Sequence, residues 1–221
     1  MKKVLIAVPC MDMVSARFAQ SLATLKKVGE CTVTFIIGSL IYDSRNRLAE
    51  YAIKSESDYI LWFDSDMVFA PDTLERMMKV LDEHPEIDIL SGLYFRRSTP
   101  FTPVAFDKLE LTEQNTCEFE DMKEVPEGLK EIAGCGFGCV LMRTECLFDI
   151  AGKYGGVWFS PFGNVGEDCS FCIRARDEGY RIFIDPSISL GHMGYAAVTE
   201  NFYQAIKEGE NAGQSINTDN S

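Results

Sequence analysis

Positive charge is scarce in this sequence. Lys and Arg number 21 against 34 Asp and Glu, which leaves a formal net charge of -13. Such a surface repels phosphate backbones and argues against a nucleic-acid duplex as the main ligand. Long apolar runs are missing too: none approaches the ~20 residues that cross a bilayer. Histidine is rarer still, with only His84 and His192. Internal repeats and an inter-domain linker are also absent. Composition excludes collagen-like, disordered and coiled-coil classes. What remains is a 221-residue chain, 46% apolar and 25% charged, long enough to bury a full core as one generous domain.

The negative charge is unevenly spread. Between Asp107 and Glu131 lie nine acidic residues and three basic ones, so this stretch contributes -6 of the -13. It reads either as a solvated excursion or as a flap forming one wall of a site. At the start, Met1-Lys2-Lys3 before Val4–Val8 mimics a signal peptide. The apolar run is shorter than the ~7–15 residues of a secretory core, and Pro9 and Asp12 interrupt it. A first buried strand explains it better, and a cytoplasmic protein is expected. The eight cysteines, including Cys169 and Cys172 at CxxC spacing, lack a second pair at zinc-ribbon spacing and read as small buried hydrophobes.

The first half alternates strand and helix. Strands are expected at 3–8, 32–37, 59–63 and 87–90, and helices at 15–28, 44–55 and from Pro71 through Leu81. This order predicts an α/β fold with an open, mostly parallel central sheet flanked by helices. The second half is less regular. Residues 94–131 look extended and irregular. Gly134–Gly138 is a glycine hinge into a strand at 139–142, followed by a short helix at 143–151. A glycine-rich loop spans 155–166, a helix 167–178, and two strands 181–184 and 188–192. The expected division is a nucleotide-binding half, 1–92, an acceptor half, 93–208, and a flexible tail, 209–221.

Asp64-Ser65-Asp66 follows the apolar run Tyr59–Phe63 directly. In an extended chain, positions i and i+2 point to one side. Two carboxylates would then share the carboxyl end of a buried parallel strand, where open α/β sheets place ligands. Like charges held together call for a cation, and carboxylate oxygens suit Mg²⁺ or Mn²⁺. The alternative is a polar turn in which one aspartate caps the chain from Met67 onward.

These residues also resemble a known pattern. Asp43-Ser44-Arg45-Asn46-Arg47 followed by Asp64-Ser65-Asp66 is similar to the "ARN … DxD" stretch of GT-A-fold glycosyltransferases. Gly166-Glu167-Asp168-Cys169-Ser170-Phe171, and then Gly179-Tyr180-Arg181-Ile182, resembles their "ED" helix and the strand after it. His192 falls where many of them keep a late metal-binding histidine. The likeness runs over residues 3–195 and is greatest to small stand-alone, family-two-like transferases, some of them phage-encoded. It implies a single GT-A-like domain that transfers a sugar from a nucleotide-sugar donor to an unknown acceptor hydroxyl, with inversion preferred. UDP is the default base carrier and GDP the second choice.

By the same resemblance, Asp64, Asp66 and His192 hold the metal, and an imidazole favours Mn²⁺ over Mg²⁺. Asp12, Arg45, Asn46 and Asp64 serve the nucleotide, Arg97 the diphosphate. Asp168 is the base that deprotonates the acceptor, and Glu167 orients it. Blander readings stand beside these. Arg45 and Asn46 can be surface positions of an amphipathic helix, and Glu167 and Asp168 can be first-turn carboxylates favoured by the helix dipole. Trp158, Phe159 and Phe162 can stack on a sugar from a closing flap or pin their loop to the core. Arg96 and Arg97 can be a solvated pair. His84, before Pro85, reads as a surface or capping residue.

Two other functions compete. A nucleotidyltransferase can use a similar sheet with carboxylate-bound Mg²⁺, but it normally carries a glycine-rich basic loop after its first strand. Here that loop is Pro9-Cys10-Met11-Asp12-Met13. A non-catalytic nucleotide- or glycan-binding protein on the same fold is the other.

Overall fold

A computed structural model describes residues 1–112 and 116–194. The expected tail at 209–221 lies outside the described residues. The first half runs β1 (Lys3–Cys10), α1 (Ala16–Thr24), β2 (Glu30–Ile37), α2 (Ile41–Lys54), β3 (Tyr59–Phe63), β4 (Met67–Val68), α3 (Thr73–Glu83) and β5 (Ile89–Leu93). β3 and β5 are buried at every position, as strands covered on both faces must be. α3 inserts Leu74, Met77, Met78 and Leu81 into the core.

α1 starts where expected, with Ser15 Oγ accepting the Phe18 N–H at 3.1 Å. It stops at Thr24, four residues short of expectation. The Lys26 N–H is drawn away to the Pro71 carbonyl at 2.7 Å, and Leu25 turns extended to bury its side chain. Gly29 then reverses the chain at φ +72, where a Cβ would sit 2.1 Å from the Lys2 carbonyl oxygen. Only glycine meets both conditions.

The second half runs β6 (Ala105–Leu111), β7 (Cys117–Asp121), β8 (Lys130–Ile132), β9 (Gly134–Cys135), β10 (Cys139–Arg143), α4 (Glu145–Tyr154), α5 (Glu167–Asp177), β11 (Ile182–Ser189) and β12 (Gly191–His192). The stretch 94–131, expected to be extended and irregular, therefore contains β6, β7 and the start of β8. β6 pairs antiparallel with both β7 and β9 in a small sheet of its own. Its Ala105, Phe106 and Leu109 are buried while Asp107 and Glu110 are exposed, a pattern that a register shift between Phe106 and Lys108 takes out of strict alternation. Much of that charge pairs locally: Lys108 with Glu110 and Glu118, Lys130 with Asp107, and Arg181 with Glu131.

The central sheet has the order β2-β1-β3-β10-β5-β11-β8. β1, β2 and β3 are parallel, as are β5 and β11. β10 runs antiparallel between β3 and β5 and joins the two groups. β11 joins the strand expected at 181–184 to the start of the one expected at 188–192, ending at Ser189 after a register shift from Asp185. Beyond it, β12 pairs with β4, placing His192 opposite Met67. No described helix is long and apolar enough to cross a membrane.

β3 lies inside the sheet between β1 and β10. Its Leu61 is fully buried in the core cluster that also holds Phe18 of α1 and Leu74, Met77 and Leu81 of α3. Leu61→Ala should lower stability by about 2–5 kcal/mol, read as a drop in the urea midpoint without a change in slope.

Candidate functional site

The carboxyl ends of β1 and β3 open into a cleft of about 380 Å³. Its wall includes Asp64, Asp66, Glu167, Asp168, Arg97 and His192. An adjoining cavity of about 380 Å³ shares Glu167, Asp168, Arg97 and His192 and extends toward Ser98, Phe106 and Cys169. A larger open groove, about 640 Å³, lies at the opposite end of the strands between Lys2, Asp58, Tyr59 and Arg143. Ligands of open α/β sheets collect at the carboxyl ends, and the grouped carboxylates are there too.

The DxD segment leaves β3 in a turn, with the Met67 N–H donating to the Asp64 carbonyl at 3.2 Å. The β4–β12 pairing returns His192 to this turn, and the Met193 N–H bonds the Asp66 carbonyl at 2.8 Å. His192 Nε2 lies 3.5 Å from Asp66 Oδ2. Its Nδ1 lies 2.8 Å from the Phe95 carbonyl oxygen, which makes Nδ1 the protonated nitrogen of the neutral ring. Arg97 also donates to Asp66 Oδ2, at 2.8 Å. Burial would raise Asp66, but its bond and charge contacts with His192 and Arg97 outweigh it and hold the carboxyl below its ordinary value. Burial would lower His192, yet Asp66 and the Phe95 carbonyl leave it raised.

A divalent cation fits part of this arrangement. Asp66 Oδ1 is buried and has no hydrogen-bond partner among the described residues. The His192 tautomer presents the Nε2 lone pair toward the same carboxylate. A carboxylate and an imidazole suit Mn²⁺. No group of three His, Cys, Asp or Glu side chains is gathered for a metal among the described residues. Asp64 is turned elsewhere, so protein ligands would fill only part of a coordination shell. That is the usual arrangement where substrate phosphates and water complete it.

Asp64 turns toward Arg45. Arg45 lies on α2 and is only 2% exposed. It donates to Asp64 Oδ1 at 2.9 Å and to Asp168 Oδ1, with Glu167 Oε1 at 3.9 Å. The rings of Phe137 and Phe159 lie 5.2 and 5.7 Å from its guanidinium carbon, a further attraction for a desolvated cation. Burial disfavours its charge, but the three carboxylates outweigh that and raise its pKa. Asp64 is raised by burial, which Arg45 only partly offsets, with Asp66 and Glu167 adding repulsion. Asp168 is pushed up to about 7: burial dominates, Arg45 and the Phe137 N–H pull it back, and Glu167 and Asp64 push it up. Its second oxygen accepts that N–H at 3.3 Å, and its side chain keeps 27% exposure toward the cleft.

Other expected site residues stand differently. Asn46 is not in the cleft wall. Its carbonyl accepts the Phe159 N–H at 2.8 Å and its amide donates to Ser160 at 3.3 Å, tying the 155–166 loop to α2. Asp12 is exposed just past β1, beside the wall residues Cys10 and Met11. Trp158 and Phe159 are buried, the indole N–H bonding the Leu147 carbonyl at 2.7 Å. They anchor their loop to the core and do not form an open stacking face. Arg96 pairs with Asp121 and braces β7. His84 is half-buried at the end of α3, beside Glu86. Tyr94 and the Ser39–Ser44 hydroxyl pair, 2.6 Å apart, also line the cleft. Neither carries a charge or spacing that marks it in sequence as a site residue.

Residues 42–147 match the family described as glycosyl transferase family 2. Among solved structures, A197 from STIV is similar over 88% of this chain and 87% of that one, with a TM-score of 0.63 and 17% identity. GalNAc-T7, solved with UDP, GalNAc and Mn²⁺, is similar over 88% of this chain, with a TM-score of 0.58 and 9% identity. This chain spans 43% of that one. At these identities the likeness is one of fold. No curated protein matches the sequence.

Arg45 faces three half-buried carboxylates, and removing it leaves them without their cation. Arg45→Met should cost about 3–5 kcal/mol at pH 8. Wild type and variant share the unfolded chain, so the deficit varies with pH only where their folded carboxyls differ in protonation. Without Arg45 the Asp168 carboxyl is raised further still, so the deficit should shrink as pH falls toward the wild-type value of about 7, measured by chemical denaturation across pH.

Proposed function

We propose that this chain, a family-two-like glycosyltransferase of the GT-A fold, moves a sugar from a nucleoside-diphosphate donor to an acceptor hydroxyl with inversion, aided by Mn²⁺ or Mg²⁺. UDP is the default nucleotide. The observation that carries this reading is the convergence of two acidic elements in one cleft. The DxD turn with His192 stands on one side, the Glu167–Asp168 helix start on the other, and Arg45 joins them.

Asp66 and His192 would hold the cation, with Asp64 facing the ribose or a metal-bound water. When bound, the cation neutralises the diphosphate and the charge that develops on it as it leaves. Arg97, 52% exposed at Asp66, stands within reach of a phosphate in the cleft. Asp12 and Arg45 belong to the nucleotide side, and Asn46 acts there by fixing the neighbouring loop.

Asp168 is the base. A carboxyl raised to about 7 is half deprotonated near neutrality, where general-base catalysis is efficient. Its carboxylate takes the acceptor hydroxyl proton as that oxygen bonds to C1 of the sugar. The bond from C1 to the diphosphate oxygen breaks, and its electron pair leaves with the nucleotide. The carbon gains oxocarbenium character on the way. Glu167, also facing the adjoining cavity, orients the acceptor. The nucleotidyltransferase alternative finds little support, since the turn after β1 has neither glycine nor a basic residue.

Mn²⁺ and UDP together should raise the melting temperature more than the sum of either alone, and Asp66→Ala should abolish that synergy. Loss of synergy in the wild type with every nucleoside diphosphate would remove the donor-site assignment. Asp168→Asn should keep nucleotide binding and slow transfer by about 10²–10⁴-fold. The wild-type rate should rise about tenfold per pH unit below the base pKa and level off above about 7. A flat profile over that range would contradict the base assignment.

A further inference from the structure

We propose that Tyr94 is a positioning residue for the transfer step, setting the place of the Asp168 carboxyl against His192 through the Gly136–Gly138 strap. This rests on the reading of Asp168 as the base. Tyr94 follows β5 directly and is buried. Its phenol oxygen accepts the Gly138 N–H at 3.0 Å. The strap lies flush against the ring. A Cβ at Gly136 would fall 2.3 Å from the phenol oxygen, and one at Gly138 would fall 2.7 Å from Cζ. Backbone bonds complete the attachment: the Val104 N–H donates to the Tyr94 carbonyl at 3.0 Å, and the Gly136 N–H donates to the Val104 carbonyl at 3.2 Å.

Between the two glycines, the Phe137 N–H is the donor to Asp168 Oδ2, at 3.3 Å. Arg45 holds the other oxygen. The strap therefore fixes the rotation of the carboxyl about the axis that Arg45 leaves free. On its far side the Tyr94 ring meets the His192 ring edge-on, with centroids 5.4 Å apart at 84°. The next residue, Phe95, supplies the carbonyl that orients His192. One side chain thus contacts both the acceptor-side base, through the strap, and the donor-side histidine. A phenylalanine would fill the same volume, so the hydroxyl has a job that packing does not require: holding the Gly138 amide.

Tyr94→Phe keeps the ring and removes that acceptor. In the ligand-free protein, hydrogen exchange at the Phe137 and Gly138 amides should quicken at least tenfold relative to core amides of β3. With a panel of UDP- and GDP-sugars and Mn²⁺, kcat for nucleotide release from the sugar turned over should fall about tenfold, with the donor KM within about twofold. Gly138→Ala, which forces the strap off the ring, should show the same split. In the Asp168→Asn background, Tyr94→Phe should cost less than about twofold, because the carboxylate it positions is gone. An unchanged kcat in Tyr94→Phe, or an equal loss in both backgrounds, would overturn the proposal. Full activity in Asp168→Asn alone would instead overturn the base assignment, so the two failures are distinct.

Discussion

The Arg45 guanidinium, buried on α2 with two aromatic rings beside it, is closed upon by carboxylates from two other elements. Asp64 comes from the end of β3, and Glu167 and Asp168 from the first turn of α5. A cation so far from water is costly unless it is paired and hydrogen-bonded. The three acids would repel one another without it. Each therefore depends on the other for its place. That dependence connects the two halves of the chain at the cleft, since α2 and β3 come early and α5 comes late. It also leaves the carboxylates outnumbering the cation, so the cleft remains receptive to further positive charge.

The surroundings make this cluster usable. The short β4–β12 pairing returns the late chain to the DxD turn and delivers His192 to Asp66. The antiparallel strand β10 emerges from the Gly136–Gly138 strap, so the backbone that supports Asp168 is continuous with the middle of the sheet. Asn46 secures the loop before α5. The chain's negative charge takes a different meaning in this setting. Much of the acidic stretch at 107–131 is matched by Lys108 on β6, Lys130 on β8, and the neighbouring Arg96 and Arg181. The acids of the cleft are matched only in part, which suits a phosphate ligand that arrives with a metal ion and does not suit a bare polyanion.

Much of the first half was legible in sequence because its signals are local. Tyr59–Phe63 is an uninterrupted apolar run and matches β3 residue for residue. The cluster of Asp64, Asp66, Glu167, Asp168 and His192 in one cleft follows the motif order. Less legible was anything that required knowing which distant groups meet. Arg45 stands on a helix whose pattern allowed a surface position, and only the meeting of Phe137, Phe159 and the first turn of α5 around it shows it buried. Asn46 looked like a ligand-facing residue and instead binds a loop more than a hundred residues away. The β6–β7 hairpin was hidden because its strands are dense in charge and a register shift between Phe106 and Lys108 breaks the two-residue alternation. Trp158 and Phe159 carried equal signals for flap and core, and burial decides between them. Tyr94 had no signal of its own, for its meaning lies in the two glycines pressed against it.

The central claim is that one cleft binds a nucleotide sugar and breaks its bond to the diphosphate. The most direct measurement is nucleotide release from a panel of UDP- and GDP-sugars, with Mn²⁺ and with a chelator, in the wild type and in Asp168→Asn. One nucleoside diphosphate should be released from a preferred donor, only with metal, and its release should fall sharply in the variant. Release of pyrophosphate or nucleoside monophosphate, or equal turnover in the variant, would contradict that claim.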